Sequence, residues 1–235
     1  MGKPYYFLKQ SFDAIFLLIW EDSIASLFSV LLLAFLAGCI GTPEERANAN
    51  GVIFLRDGYP DLAMPEFNRA VRLNPQFAPA YRNRGTAHEM LQQHDEAIGD
   101  FTKAIELNPS DAASYSNRGL VYYAMDDYEQ AVRDFNKAIE LNPGLSQAFF
   151  SRGQAYFQMG EYQKALDDFD KVLAMNSGDA GAHLRRGMTL ERMGQTEGAI
   201  GSFERFLEIA TPAYASQKVY VEQKLERLKS HRDSL

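Results

Sequence analysis

The sequence predicts an all-α solenoid of five helix-turn-helix repeats, which follows an apolar N-terminal segment and ends in one capping helix. Three observations carry this prediction. Blocks of 34 residues recur in phase, apolar residues within each block recur at helical spacing, and a run of 18 residues without a charge precedes the blocks. The complete copies are residues 77–110, 111–144, 145–178 and 179–212, and residues 43–76 form a fifth, degenerate copy.

Three positions of the block keep one residue type in all five copies. They hold glycine (Gly51, Gly85, Gly119, Gly153 and Gly187), alanine (Ala63, Ala97, Ala131, Ala165 and Ala199) and phenylalanine (Phe67, Phe101, Phe135, Phe169 and Phe203). Small residues let two antiparallel helices approach closely, and the phenylalanine then fills the next layer. Asn-Pro pairs at 74–75, 108–109 and 142–143 end the second helix, because proline disfavours helical geometry in the residue before it.

This pattern resembles the tetratricopeptide repeat (TPR), whose 34-residue unit has small residues at its eighth and twentieth positions and a proline near its end. The resemblance covers residues 43–212. It implies a right-handed solenoid in which the first helix of each repeat lines a concave face that binds proteins or peptides.

The terminal copies depart from the pattern. Pro60 and Pro65 predict that the second helix of the first copy starts late or kinks, because a proline inside a helix costs about 3 kcal/mol. Gly198 and Gly201 weaken the second helix of the fifth copy. We therefore expect the end repeats to fray before the central ones.

Residues 213–235 are predicted to form a helix that caps the solenoid. Val221, Leu225 and Leu228 lie on one stripe of this helix, and charged residues cover the rest. A repeat protein needs such a cap, because its last repeat otherwise exposes an apolar face.

A charged pattern follows the same period. Arginine immediately precedes the conserved glycine in four copies (Arg84, Arg118, Arg152 and Arg186), and the position before the conserved phenylalanine of the same copies holds Asp100, Asp134, Asp168 and Ser202. One hypothesis is a ladder of arginine–aspartate pairs between the two helices of each repeat. The alternative is that the arginine stems cover the core while their charged ends stay in water.

The resemblance also implies which residues line the concave face. The predicted partner-binding groove consists of Arg82, Asn83, Asn117, Leu120, Tyr123, Phe150, Gln154, Phe157, Leu184 and Met188, with Thr86, Glu89, Ser116 and Arg185 beside them. Its apolar members suit a peptide or helix. In the alternative interpretation, some of them pack against a neighbouring repeat or the C-terminal helix. The carboxylate clamp of chaperone-binding TPR proteins is not predicted, since only Asn83 and Asn117 fit it.

The sequence favours no catalytic, metal-binding or cofactor-binding function, and no small-molecule substrate is expected. It has no metalloprotease, phosphate-loop, nucleophile-elbow or calcium-loop motif. His88 and His183 take core positions of the repeat, which favours packing over ligation. The net charge of −7 and a pI near 5.2 argue against a nucleic-acid partner.

Residues 1–38 lie outside the repeats, and the uncharged run at residues 23–40 includes Cys39, the sole cysteine. Leu36-Ala37-Gly38-Cys39 resembles a bacterial lipobox, which implies cleavage before Cys39 and attachment of lipid, including palmitate, to it. Acidic residues at 13, 21 and 22 are unusual in a signal peptide, whose start is normally basic. The alternative is therefore an uncleaved membrane anchor, in an accessory subunit of a membrane complex.

The junction at residues 39–42 is short. Thr42-Pro43-Glu44-Glu45 predicts a capped helix start, with threonine as the cap and Glu45 closing a capping box. Since Ile40 is not aspartate, the resemblance favours the outer over the inner membrane. The sequence thus predicts a TPR adaptor anchored at the bacterial cell envelope, with its repeats in the periplasm or outside the cell.

Overall fold

The computed structural model describes residues 41–232, whose regular structure is entirely helical. The predicted signal peptide or anchor and Cys39 lie outside the described residues. Ten helices pair into five hairpins and an eleventh follows a short 3₁₀ turn at Pro212–Tyr214: α1 (Pro43–Arg56), α2 (Pro60–Leu73), α3 (Ala78–Met90), α4 (His94–Leu107), α5 (Ala112–Ala124), α6 (Tyr128–Leu141), α7 (Ser146–Gln158), α8 (Tyr162–Met175), α9 (Ala180–Arg192), α10 (Thr196–Ile209) and α11 (Ala215–Arg232). In this described range, no helix is long and apolar enough to span a bilayer.

The predicted glycine–phenylalanine contact holds each hairpin together. In α5 and α6, a Cβ atom added at Gly119 would lie 2.8 Å from the ring of Phe135, which is closer than van der Waals contact allows. Phe135 itself is completely buried. The glycine is therefore required for the close approach of the two helices.

The turn between the two helices of a hairpin has the same length, three residues, in all five repeats. Its second residue has a positive φ in every repeat, with glycine at Gly58, Gly160 and Gly194 and other residues at Gln92 and Asp126. Only glycine adopts this conformation without steric cost. The sequence analysis did not identify this position, because two of its five members are not glycine.

The stacking of the hairpins places the first helices on the inner face. First helices of adjacent repeats contact one another, whereas second helices of adjacent repeats do not within residues 41–232. The second helices are therefore splayed apart and the stack is concave on the side of α1, α3, α5, α7 and α9. This arrangement agrees with the predicted location of the groove.

The ends of the repeat region test three local predictions. The predicted capping box is present, since Thr42 N donates to Glu45 Oε2 at 2.8 Å and Glu45 N donates to Thr42 Oγ1 at 3.3 Å. The predicted late start of the second helix is wrong: α2 begins at Pro60, in register with the other second helices. Proline is tolerated there because the first helical N–H has no intrahelical partner. The kink at Pro65 stays a prediction.

The C-terminal helix α11 caps the solenoid as predicted. Val221 and Leu225 are buried in a cluster with Phe203 and Phe206 of α10, and Leu228 packs against the same cluster. Lys224 Nζ also lies 2.6 Å from Glu191 Oε2 of α9. The helix thereby covers the apolar end of the last repeat.

Candidate partner-binding groove

A cavity of about 160 Å³ opens on the concave face between the first helices α3 and α5. It is lined by Thr86, Glu89, Asn117 and Leu120, with Phe101 of the hairpin core behind them. The predicted groove residues Asn117 and Leu120 therefore meet at one site. Leu120 is 36% exposed, so it presents an apolar surface to a ligand in this cavity.

Polar contacts hold the N-terminal half of the groove in register. Asn83 Nδ2 donates to Asn48 Oδ1 of α1 at 2.9 Å, and Asn117 Nδ2 lies 3.5 Å from Thr86 Oγ1. These bonds join first helices of successive repeats. The sequence analysis missed Asn48, although applying the groove positions to the degenerate first copy would have identified it.

Arg82 is held by an acidic residue that the sequence analysis also missed. Its Nη1 donates to Asp111 Oδ2 at 2.8 Å, and the Ser114 hydroxyl donates to the same oxygen at 2.6 Å. Burial acts to raise the pKa of Asp111, but these bonds and the charge of Arg82 outweigh it and the pKa is lowered. Asp111 is the residue before α5, so this pair fixes α5 against α3.

Two aromatic residues extend the groove along α5 and α7. Tyr123 packs edge-on against Tyr128 with ring centroids 5.4 Å apart, and Phe157 packs against Tyr162 in the same way at 5.5 Å. Both groove residues are half-buried, and the guanidinium of Arg192 lies 5.9 Å from the Phe157 ring centroid. Each ring is thus held in place by the second helix of its own repeat. Gln154, also half-buried, lies on α7.

Phe150 lines a different cavity, of about 360 Å³, at the joint between the fourth and fifth repeats. Its ring packs edge-on against Phe169 at 5.8 Å. The other residues that line this cavity are Ser146, Gln147, Val172, Asp179, Gly181 and Tyr214. Because Tyr214 comes from the segment after the last repeat, this wall could not be predicted from the repeat pattern.

The structure corrects the placement of Leu184 in the open groove, whereas Met188 is half-buried like Tyr123 and Phe157. Leu184 is 9% exposed and belongs to the core cluster that contains Val221 and Leu225, and Met188 packs against that cluster. The alternative interpretation, in which some groove residues pack against a neighbouring repeat or the C-terminal helix, therefore holds for Leu184. The physical reason is that Leu184 belongs to the core of the last two repeats, where Leu166 of the preceding repeat lies in the same cluster.

The predicted arginine–aspartate ladder is present. Arg118 donates from Nε and Nη2 to the two carboxylate oxygens of Asp134, each at 2.8 Å, and Arg84 and Arg152 bind Asp100 and Asp168 in the same bidentate manner. In the last repeat, Arg186 Nη1 donates to Ser202 Oγ at 2.6 Å. The arginine ends are therefore paired in the protein and do not extend into water.

Each ladder arginine also reaches the preceding repeat. Arg118 Nη1 donates to Thr102 Oγ1 at 2.9 Å, and the equivalent partners of Arg84, Arg152 and Arg186 are Asn68, Asn136 and Asp170. The partner is always the residue after the core phenylalanine of the preceding repeat. One side chain therefore joins the two helices of its own hairpin and also fixes that hairpin to the preceding one.

His88 and His183 each make a polar contact within the described part of the chain. His88 Nδ1 lies 2.6 Å from Gln93 Oε1, and His183 Nε2 lies 3.1 Å from the Ser177 carbonyl oxygen. Across residues 41–232, no group of three or more His, Cys, Asp or Glu side chains could hold a metal ion.

Comparison with known proteins supports the assignment of the repeats. Two family models, both described as tetratricopeptide repeat, match residues 78–111, 112–145 and 146–179 and residues 182–209. Together they match more than half of the chain. The three matches between residues 78 and 179 lie one residue after the repeat boundaries drawn from the sequence. No curated protein matches the chain.

Solved structures with the same fold come from several proteins. PilF of Pseudomonas aeruginosa is 20% identical, with a TM-score of 0.71 over 81% of this chain and 86% of that one. MamA of Desulfovibrio magneticus RS-1 is 19% identical, with a TM-score of 0.66 over 72% and 96%. YrrB, described as a TPR protein with an unusual peptide-binding site, is 20% identical, with a TM-score of 0.61 over 80% and 91%. Sequence period, helix pairing and family models agree, and the chain belongs to the tetratricopeptide repeat family.

Proposed function

We propose that this chain is an adaptor that binds a protein or peptide partner in its concave groove and holds it at the bacterial cell envelope. The observation that carries the proposal is the groove surface formed by Leu120, Tyr123 and Phe157. These side chains lie on adjacent first helices and are held by packing within their repeats. A preorganised surface loses little side-chain entropy when a ligand binds.

The groove suits a ligand with an apolar side chain next to polar backbone. The cavity at Leu120 accepts an apolar group, and Asn83, Asn117 and Gln154 can bond to peptide groups beside it. Such a combination is typical of grooves that recognise extended peptides or helices. The peptide-binding site described for YrrB supports a peptide ligand, because that protein has the same fold.

The anchoring part of the proposal assigns Cys39 as the lipid attachment site. Two or three acyl chains hold a protein stably on a bilayer, since each buried methylene contributes about 0.8 kcal/mol. The capping box at Thr42 begins the first repeat three residues after Cys39, within about 10 Å. A lipid at Cys39 would therefore keep the groove close to the membrane surface, and Ile40 favours the outer membrane.

The double variant Tyr123→Ala/Phe157→Ala tests the groove. Partners cross-linked to the wild-type protein in its native membrane should be lost from the variant, because both aromatic surfaces of the groove are gone. A matched control is Tyr59→Ala/Tyr220→Ala, which removes two aromatic side chains that are 57% and 44% exposed outside the groove. Partners that persist in the groove variant would place the binding surface elsewhere.

The intact mass of the native protein tests the anchor. The proposal requires loss of residues 1–38 and added acyl mass on Cys39, and both changes should disappear in Cys39→Ser. Trp20 is the sole tryptophan, so the mature protein should show no tryptophan fluorescence. An unmodified full-length chain would instead support an uncleaved anchor in a membrane complex, which the acidic residues near the N-terminus favour.

A further inference from the structure

The face of α1 that points away from the other repeats is open, although its counterparts are buried. In the four following repeats, one position of the first helix packs under the preceding hairpin and is fully buried, as Ala87, Val121, Ala155 and Thr189 show. The equivalent residue of α1 is Ile53, which is 48% exposed. Within the described residues no second helix precedes α1.

The arginine–aspartate ladder is incomplete at the same place. Glu66 stands where the later repeats have an aspartate or Ser202, but Asn50 replaces the arginine. Glu66 Oε2 is buried and accepts no hydrogen bond. Its nearest cation is Arg69, whose Nη1 lies 3.9 Å away and whose side chain is 59% exposed. A buried carboxylate oxygen without a donor is costly in free energy.

A cavity of about 280 Å³ lies beside this carboxylate. Asn50, Ile53, Phe54 and Glu66 line it, and we call these four residues the open end. In the following repeats, the guanidinium of the ladder arginine lies at the corresponding place. The open end therefore combines an exposed aliphatic side chain with a carboxylate oxygen that accepts no hydrogen bond and has only a 3.9 Å contact with the exposed Arg69.

We propose that the open end binds a helix of a partner protein, and that this helix carries an apolar stripe and one arginine or lysine that pairs with Glu66. This surface is separate from the concave groove. The molecule itself shows the required geometry, because each later hairpin receives the second helix of the preceding repeat on the same face. From that helix, Thr102 reaches the guanidinium of Arg118 at 2.9 Å. A basic residue in the place of Thr102 would point at the vacant ladder position.

Charge favours this partner over other apolar surfaces. Residues 23–40 of this chain contain no charged residue, and neither does the hydrocarbon of a bilayer. Residues 1–22 carry Lys3 and Lys9, but the cleavage in the proposed function removes them from the mature protein. Residues 23–40 or a bilayer would cover Glu66 without supplying a donor to Oε2, and burying a carboxylate oxygen without a hydrogen bond is strongly unfavourable. An arginine would instead form a charge-assisted bond of the kind that the ladder already contains.

A peptide of residues 94–107 is a suitable probe, since this segment forms α4 and covers the equivalent face of α5. Fluorescently labelled peptide would be titrated against the full chain in detergent, with and without the Thr102→Arg substitution. The substituted peptide should bind at least about tenfold more tightly, as a charge-assisted hydrogen bond predicts. Glu66→Gln should remove this advantage, and so should Asn50→Arg, which supplies the guanidinium from within the chain. Glu129→Gln, an exposed carboxylate on α6, is the matched control and should retain it.

Four results would overturn the proposal. The first is equal binding of the two peptides, and the second is no binding of either. The third is a tighter binding of the substituted peptide that survives Glu66→Gln in a chain with a wild-type circular dichroism spectrum. The fourth is occupation of the open end by a second copy of the chain or by the membrane. Self-association that Ile53→Asp abolishes would assign the face to a second copy. Slower amide exchange in α1 in lipid nanodiscs, equal in wild type and Glu66→Gln, would assign it to the membrane.

Discussion

The first and third repeats form the same hairpin, but within the described residues only the third has a ladder arginine that joins it to a preceding repeat. Phe67 and Phe135 are both fully buried, and each lies against the glycine of the opposite helix. The third repeat adds the bidentate pair of Arg118 and Asp134, which the first repeat lacks. The comparison shows that the apolar layer alone forms the hairpin. The ion pair belongs to the joint, because Arg118 also binds the preceding repeat.

The largest expected effect separates a central repeat from the terminal one. Phe135→Ala should lower the free energy of unfolding by about 3–5 kcal/mol, because it leaves a cavity in a fully buried layer. In urea unfolding, this loss should move the main transition, since the third repeat connects both halves of the solenoid. Phe67→Ala removes an equally buried ring at one end. We expect it to accelerate amide exchange mainly in α1 and α2, and equal shifts of the main transition would contradict the comparison.

The ladder pair should have the next largest effect. Arg118→Met leaves Asp134, which is 7% exposed, without its cation and should cost about 1–3 kcal/mol. Asp134→Asn in the same background should then cost less than it does in the wild type. Urea unfolding of the two single variants and the double variant measures this coupling. An Arg118→Met protein as stable as the wild type, with an independent Asp134→Asn effect, would show that the ladder contributes no stability.

The period of the sequence was sufficient to predict the hairpins and the ladder, because these are contacts within one repeat or between neighbours. It located Leu120, Tyr123 and Phe157 on one face for the same reason. It did not show that Leu184 is buried in the core cluster of the last repeats. That cluster includes Val221 and Leu225, which belong to a segment outside the repeat pattern. The period also aligned Glu66 with the ladder aspartates, but it gave no sign that a carboxylate oxygen would be buried without a donor.

Restoring the missing arginine should make the first joint resemble the later ones. Asn50→Arg places a guanidinium beside Glu66, and we expect it to raise the free energy of unfolding of the first repeat by about 1 kcal/mol. Amide exchange in α1 and α2 measures this gain. The gain should vanish in the Glu66→Gln background, since the new side chain then has no charged partner. A gain that persists there would mean that packing, and not pairing, stabilises the variant.

The smallest expected effect is a pH dependence of stability. It distinguishes two polar contacts that join adjacent repeats on the concave face. The first joint uses the neutral pair Asn48–Asn83, whereas the second uses Arg82 and Asp111. The pKa of Asp111 is lower in the folded chain than its ordinary value, because the bonds from Ser114 and Arg82 outweigh burial. Its contribution to stability is therefore complete above the ordinary pKa and is lost as the pH falls through the lowered value.

This sign fixes the outcome for Asp111→Asn. At neutral pH the variant should be a few tenths of a kcal/mol less stable than the wild type, as is typical of partly exposed ion pairs. The difference should shrink as the pH falls below the ordinary pKa of aspartate, and urea midpoints measured across that range would detect it. Asn83→Ala, which breaks the neutral pair, should keep the same deficit at every pH. A deficit of Asp111→Asn that is also independent of pH would mean that the carboxylate acts through its hydrogen bonds and not through its charge.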